Sequence, residues 1–293
     1  MEFIIIKIIL VIFTLLIFYK MFLVYRKHDY IISQAKKIKL AFTGFIANFA
    51  DTLGIGSFAI IVGFSKLWNL TEDDKLPSML NIEAITPTTL QALFFLSIIN
   101  VDPITLITLI ITCTIGGALS ARIVSKLNKQ LIRELMIFGL TLVCIILFLN
   151  QIRILPIGGN ETALSGIKLI MGAIGMFIVG CLPAIGVGNY AAAQVLLFLL
   201  NMSPLVAFPI MTASSATMQC ASTYTFLASG KKLAIKEGVI LQLAAIPGVL
   251  LAAPLITKVS IHSLRWLLFV VILYNIVMLT RSYLEDRKNN YVS

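Results

Sequence analysis

The stretch ADTLGIGSFA, residues 50–59, interrupts a long apolar segment with an acid, a threonine, two glycines and a serine. A second interruption of the same form, PAIGVGNYAA, occupies residues 183–192. In each, a G-x-G element precedes a residue type that is favoured at helix N-caps, Ser57 in the first and Asn189 in the second. We therefore predict that two helices break inside an apolar environment and that a new helix starts at each break.

The composition indicates whether these helices lie in water or in a lipid bilayer. Of the 293 residues, 59% are hydrophobic and 12% are charged, and the mean hydropathy is +1.00. A helix needs about 20 residues to cross the hydrocarbon core of a bilayer, and apolar runs of that length recur along the chain. The composition predicts an all-α, multi-pass integral membrane protein.

The net charge of +10 does not indicate a nucleic-acid partner. The Lys and Arg residues lie at the ends of the apolar runs, where membrane topology and anionic lipid headgroups account for them. The expected partners are therefore membrane lipids and a small substrate, with no nucleic acid. The oligomeric state is left open, a homodimer included.

Enzyme chemistry is not expected. The four cysteines stand singly in apolar segments, and the two histidines lie in charged loops without a partner motif. This pattern argues against a disulfide framework, a metal site or a bound cofactor. An intramembrane aspartyl protease would need two aspartates that share one site, but the residue that corresponds to Asp51 in the second half is Pro183.

A constant offset of 132 residues, without gaps, superposes one half of the chain on the other. The matches fall on scarce residue types: Phe45 with Phe177, Gly54 with Gly186, Gly56 with Gly188, Pro77 with Pro209, and Gly116 with Gly248. Each unit is predicted to open with a broken segment, 39–68 or 168–200, followed by three ordinary helices. The predicted order is an N-terminal transmembrane helix with a basic cytoplasmic linker (1–38), repeat one (39–152), a linker (153–167), repeat two (168–284) and a tail (285–293).

The loop charges predict that the second repeat is inverted relative to the first. Cytoplasmic loops carry the excess of Lys and Arg. At each of the corresponding loops one repeat is richer in these residues than the other, and the richer repeat alternates along the chain. A unit of three spans plus a re-entrant hairpin gives this alternation. We expect seven full spans, two re-entrant hairpins, an extracellular N-terminus and a cytoplasmic C-terminus.

The paired breaks indicate a binding site. Irregular backbone at membrane depth persists only where protein or a water-filled cavity satisfies its N–H and C=O groups, and paired breaks in two halves point to a transporter's substrate site. Two helix N-termini at the bilayer middle present N–H groups and partial positive charge, which suits an anion. Polar clusters at 81–91 and 212–219 follow the breaks. The predicted substrate-binding residues are Asn48, Asp51, Thr52, Gly54, Gly56, Ser57, Asn81, Glu83, Thr86, Gly186, Gly188, Asn189, Tyr190, Ser214, Ser215, Thr217 and Gln219.

Other interpretations of these residues stay open. The glycines can serve only to let helices pack closely, and Ser and Thr can bond back to carbonyls of their own helix. Asp51 and Glu83 are different, because an ionised acid near the bilayer centre costs roughly 2.5 to 3.5 kcal/mol on the insertion scale. We expect each of them to face a cavity or to hold a proton, and either could couple transport to protons.

The broken segments resemble those of the sulfite exporter TauE/SafE family. The resemblance covers Lys39 to Tyr283 and lies in the hairpins GFIANFADTLGIGS and GMFIVGCLPAIGVGN, each followed by a helix rich in small and hydroxyl residues. It implies a multi-span secondary transporter of the plasma membrane that exports small anions such as sulfite, sulfonates or sulfoacetate. The chain departs from the family's denser glycine run by having Ile55 and Ser57.

A lipid-carrier flippase is the alternative to small-anion transport, because its re-entrant hairpins would look alike in sequence. A phosphate-headed lipid would call for basic residues in the hairpins. The first hairpin has none between Lys39 and Lys66.

Overall fold

The computed structural model describes residues 2–53, 56–156, 158–252, 255 and 261–292. These residues form eleven α-helices and one short 3-10 helix, Leu182–Ile185. The all-α class is therefore confirmed. The helices are α1 (Glu2–Lys27), α2 (Gln34–Thr52), α3 (Ser57–Trp68), α4 (Leu76–Ile98), α5 (Pro103–Val124), α6 (Lys129–Gln151), α7 (Gly166–Cys181), α8 (Tyr190–Leu199), α9 (Pro204–Ser229), α10 (Ile235–Ala252) and α11 (Ile261–Val292).

Within the described residues, five helical segments are long and apolar enough to cross a bilayer. Together they indicate a multi-pass membrane protein. One of them, Gly166–Ile185, continues from α7 through the 3-10 helix and is the first limb of a hairpin, as described below. The others are Ile4–Lys27, Pro103–Val124, Lys129–Gln151 and Ile235–Ala252.

Helices α2 and α3 form a hairpin whose two ends lie on the same side of the molecule. Lys36 near the start of α2 and Lys66 near the end of α3 line one groove of about 560 Å³. The starts of α6 and α10 and the end of α11 line it too, through Arg133, Glu237 and Asp286. We call this side of the molecule face A. The first broken segment therefore enters from face A and returns to it.

Helices α7 and α8 form the second hairpin, and its ends lie together on the opposite side, face B. The loop before α7 pairs with the end of α8, since the N–H of Gly159 donates to the carbonyl of Met202 at 2.9 Å and the N–H of Ser203 to that of Glu161 at 2.8 Å. The same loop reaches the start of α5, because the N–H of Leu164 donates to Thr105 Oγ1 at 2.9 Å. Helices α4, α5, α6 and α9 connect the two faces.

Corresponding helices of the two halves make corresponding contacts with the opposite half. Helix α2 packs against α10, and their counterparts α7 and α5 pack against each other in the same way. Helix α4 packs against its own counterpart α9, and α6 against its counterpart α11. The closest approaches follow the 132-residue offset. A Cβ on Gly116 would lie 2.1 Å from the carbonyl oxygen of Phe177, and one on Gly248 would lie 2.5 Å from that of Phe45. These glycines let the first limb of each hairpin contact a helix of the other half backbone to backbone.

Helix α1 covers the line where α4 and α9 meet. Thr14 lies within 3.1 Å of Thr89 on α4 and within 3.9 Å of Cys220 on α9, hydroxyl to hydroxyl and hydroxyl to sulfur. At its start, Lys7 Nζ donates to Ser97 Oγ at 2.9 Å, near the face-B end of α4. The extra N-terminal helix is thus part of the packed bundle.

Candidate functional site

The two breaks meet at one small polar cavity of about 30 Å³, which we call the tip pocket. It lies between the start of α3, the start of α8 and the middle parts of α4 and α9. Eight of the predicted site residues line it. The lining residues are Asp51, Gly56, Ser57, Phe58, Ala84, Thr88, Gln91, Gly188, Asn189, Tyr190, Thr212, Ser215 and Gln219.

The first break is capped differently from the sequence prediction. Ser57 is the first residue of α3, and the N-cap position belongs to Gly56, whose φ of 87° is in the left-handed region. The prediction that Ser57 is the N-cap is therefore wrong. The side-chain cap comes from Asp51, whose Oδ1 accepts the N–H of Ser57 at 2.9 Å. Gly54 lies outside the described residues.

The carboxylate of Asp51 has donors on both oxygens. Besides the N–H of Ser57, Gln91 Nε2 donates to Oδ2 at 2.9 Å, and it also lies 3.3 Å from Thr52 Oγ1. Thr52 in turn donates to the carbonyl of Asn48 within its own helix. The N-terminus of α3 is thus already capped by a carboxyl group of the protein, which corrects the expectation that both helix N-termini are open to substrate.

The second break begins earlier than the glycines suggested. Helix α7 ends at Cys181 and passes into the 3-10 helix, whose last residue Ile185 is followed by Gly186 with a φ of 81°. Gly186 faces the side chain of Met136 and not the tip pocket. Gly188 does line the pocket, and a Cβ there would lie 3.5 Å from Phe58 Cβ, an ordinary contact. Its role is to leave space and not to adopt a special conformation.

Asn189 is the N-cap residue of α8, as predicted, but its side chain makes no capping hydrogen bond. Instead its Nδ2 donates to Ser215 Oγ on α9 at 3.0 Å. The side chain of Asn189 therefore does not cap α8, and the start of this helix lies at the wall of the pocket that Asn189 and Tyr190 line. Of the two hairpin tips, the first has a carboxyl cap from Asp51, and the second has no cap from its N-cap side chain.

Glu83 lies outside the pocket wall and is fully buried. Its Oε1 accepts Asn48 Nδ2, which also donates to the carbonyl of Gly44 at 2.9 Å. Glu83 Oε2 and Asn48 Oδ1 have no partner among the described residues. The pair stands beside the pocket, on the side of the first hairpin.

Five other predicted residues do not line the pocket, among them Thr52, which contacts Gln91. Thr86 accepts from Gln242 Nε2 at 2.8 Å and faces an apolar groove beside α1. Thr217 contacts Thr114 Oγ1 at 2.7 Å and faces a second apolar groove, also beside α1. Asn81 Nδ2 bonds the carbonyl of Pro183 at 2.8 Å and so supports the 3-10 helix. Ser214 is buried with an unpaired hydroxyl.

Sequence reasoning missed several lining residues, of which Gln91 is the most informative because it holds Asp51. The spacing of residues along α4 and α9 could have identified them. Residues 84, 88 and 91 share one face of a helix, as do 212, 215 and 219, because three or four residues make one turn. Applied to the two polar clusters, this spacing selects Gln91, Thr88 and Thr212 and rejects Thr86 and Thr217.

Among the described residues, the lining of the tip pocket contains no basic side chain. A negative ligand would therefore be held by N–H groups at the start of α8 and by amide and hydroxyl groups. The pocket has room for water molecules but is far below the roughly 300 to 1,000 Å³ of a small-molecule site. The pocket in this conformation is therefore too small for a substrate. Within the described residues no cluster of three or more His, Cys, Asp or Glu side chains could hold a metal ion.

Comparison with known proteins adds no relative. No model of a protein family matches the chain, and no curated protein matches it significantly. The arguments for function therefore rest on the residues and their geometry.

Proposed function

We propose that this protein is a secondary transporter that moves small anions across the plasma membrane, with the substrate bound in the tip pocket. The observation that carries the proposal is the meeting of two hairpins, one with its ends at face A and one with its ends at face B, at a small pocket lined by polar side chains. Discontinuous helices whose N-termini point at a midplane site are how secondary transporters hold anionic substrates.

The proposal takes the two halves to be inverted repeats, with seven spans and two re-entrant hairpins. Three observations support this: the opposite faces of the hairpin ends, the exchange of packing partners between halves, and the matched glycine contacts. Face A would be cytoplasmic, since it bears Lys36, Lys66 and Arg133. Alternating access then follows if each hairpin opens the pocket to its own face.

The substrate class follows from the donors at the second tip. A small oxyanion can accept from the N-terminus of α8, from the amide of Gln219 and from the hydroxyl of Ser215 without a buried cation. Sulfite, sulfonates and small organic anions, the substrates implied by the TauE/SafE resemblance, have this chemistry, and export is the direction implied. A phosphate-headed lipid is less well supported, because the pocket lining has no basic residue and the grooves beside α1 are apolar.

Proton coupling through Asp51 or Glu83 belongs to the same proposal. An anion that crosses with a proton carries less net charge through the membrane, and both acids are buried at or beside the pocket.

Transport in proteoliposomes tests the proposal. Radiolabelled sulfite, a short sulfonate and a short carboxylate are offered with and without a pH gradient, and empty liposomes give the leak. Ser215→Leu fills the pocket, and its matched control is Thr217→Leu, a position on the same helix that faces the apolar groove. We expect saturable transport of at least one anion, abolished by Ser215→Leu and kept by Thr217→Leu. If no anion is transported above the leak, or both variants behave alike, the proposal is wrong.

A further inference from the structure

The two buried acids differ in how their oxygens are satisfied. Asp51 receives a hydrogen bond on each oxygen, from the N–H of Ser57 and from Gln91 Nε2, so both of its oxygens act as acceptors. Such a set suits an ionised carboxylate, which donates nothing. The helix N-terminus that it caps also favours negative charge.

Glu83 has the opposite pattern. One oxygen accepts from Asn48 Nδ2, while the other oxygen and the amide oxygen of Asn48 are both buried without a partner. Two unpaired acceptors on residues that already contact each other are costly, because each loses its bonds to water and gains nothing. A single proton on Glu83 Oε2 provides the missing donor. The acid O–H can then donate to Asn48 Oδ1 while the amide N–H donates to Oε1, which makes a cyclic acid–amide pair.

Among the described residues, no Lys, Arg or His side chain pairs with Glu83. Helix α4 packs against α1, α2, α3, α9, α10 and the 3-10 helix. Asp51, near the end of α2, is the other buried acid of this region among the described residues. Several other groups on these helices are engaged elsewhere: Lys7 with Ser97, Lys20 with Tyr224, Lys66 with Asp73, Lys236 with Tyr30, Glu237 with Lys36, and Cys220 with Thr14. The remaining ones on α1 and α2 whose side chains the structure describes are exposed at the surface: Tyr19, Tyr25, Arg26, Lys27, Lys37 and Lys39.

The second half has no equivalent of this pair. At the 132-residue offset, Asn48 corresponds to Gly180 and Glu83 to Ser215, which pairs with Asn189. Gly180 has no room for a side chain, because a Cβ there would lie 2.2 Å from the carbonyl oxygen of Cys113. The acid–amide pair therefore has no counterpart at the corresponding positions of the second half.

We propose that Glu83 is the proton-binding site of the protein, that Asn48 positions its proton, and that Asp51 stays ionised as the cap of α3. This assignment rests on the proposed transport function for its role in coupling, although the proton site itself does not. The proton enters on Glu83 Oε2 and leaves from the same atom when the first hairpin opens. Anion and proton thus bind on different halves, one at the tip of α8 and one beside the tip of α3.

Infrared spectroscopy of the purified protein tests the proton site without any substrate. At neutral pH, we expect a carbonyl band of a protonated carboxylic acid that shifts in D₂O. Glu83→Gln, which keeps the shape and can still pair with Asn48, should lose this band, and Asp51→Asn should keep it. In wild-type protein, glutamate labelled with ¹³C at the side-chain carboxyl should move the band, and aspartate labelled at its side-chain carboxyl should not. This measurement does not depend on a variant that folds.

Transport gives the second measurement. Glu83→Gln should exchange labelled for unlabelled anion at equal concentrations, since exchange needs no net proton movement, but a pH gradient should no longer drive accumulation. Electroneutral coupling to one proton predicts about tenfold accumulation per pH unit in the wild type. A band that moves with labelled aspartate, or gradient-driven accumulation by Glu83→Gln, would overturn the assignment. A band on Glu83 with no transport of any anion would instead refute the transport function and leave the proton site standing.

Discussion

Gly116→Ala tests whether the two hairpins are held by backbone contact with the opposite half. A Cβ at this position would lie 2.1 Å from the carbonyl oxygen of Phe177, whereas an ordinary contact starts at 3.4 Å. The difference, 3.4 − 2.1 = 1.3 Å, must be met by moving α7 away from α5, since a backbone carbonyl cannot rotate aside as a side chain does. Overpacking of this kind costs about 1–3 kcal/mol, and we expect the upper part of that range.

The same arithmetic orders two further variants. At Gly248 the shortfall is 3.4 − 2.5 = 0.9 Å against Phe45, and at Gly188 there is none, because the nearest atom is 3.5 Å away. Thermal unfolding in detergent should therefore show a loss of stability that is greatest for Gly116→Ala, smaller for Gly248→Ala and least for Gly188→Ala. The effect of Gly116→Ala on anion affinity should be small relative to its effect on stability. Equal melting temperatures for Gly116→Ala and Gly188→Ala would refute the close packing of α5 on α7.

Three more predictions concern other parts of the molecule. Gly188→Val should lower anion affinity at least tenfold in a binding titration with little loss of stability, because the added methyl groups enter the tip pocket beside Phe58. Unchanged affinity would mean that the anion binds elsewhere. Arg133→Met should lower the free energy of unfolding by about 3 kcal/mol, because the Arg133 side chain is 3% exposed and its Nε donates to Asp73 Oδ2 at 2.8 Å. Its control is Lys75→Met, which breaks an exposed pair with Glu72 and should cost at most about 1 kcal/mol. Equal losses in thermal unfolding would contradict a buried ion pair at face A. Burial, with the hydrogen bond to Glu237 adding to it, raises the pKa of Tyr30 above its ordinary value of 10.0. The stability that Tyr30 contributes is therefore present below pH 10.0 and is lost as the pH rises above it. Tyr30→Phe should flatten this alkaline loss of stability, and an unchanged alkaline profile would count against the linkage.

Much of the fold could be predicted from the sequence because a bilayer leaves few options. Apolar runs of sufficient length must be helices, and the interruptions at 50–59 and 183–192 lie where the structure breaks its helices. The offset of 132 residues also predicted which glycines are equivalent, and Gly116 and Gly248 make equivalent contacts. These features depend on local sequence and on repetition, which are visible without coordinates.

The details of the site depend on contacts between distant residues. Whether Ser57 or Gly56 occupies the N-cap depends on the path of the chain between α2 and α3, and the capping group is a side chain six residues earlier, Asp51. Likewise, the partner of Glu83 is on another helix and has no counterpart in the second half. The apolar surroundings also remove the usual contrast between a polar and an apolar helix face, so Thr86 and Thr217 looked equivalent to their pocket-facing neighbours.

Protection of an engineered thiol by substrate tests the central claim, that an anion binds between the hairpin tips, most directly. In a background without the four native cysteines, Ser215→Cys places a thiol on the pocket wall, and Thr217→Cys places one in the apolar groove on the other side of α9. A small water-soluble thiol reagent should reach Ser215→Cys when the pocket opens, and a transported anion should slow this reaction, while Thr217→Cys should show no protection. If no transported anion protects Ser215→Cys, or if Thr217→Cys is protected instead, the substrate does not bind at the hairpin tips.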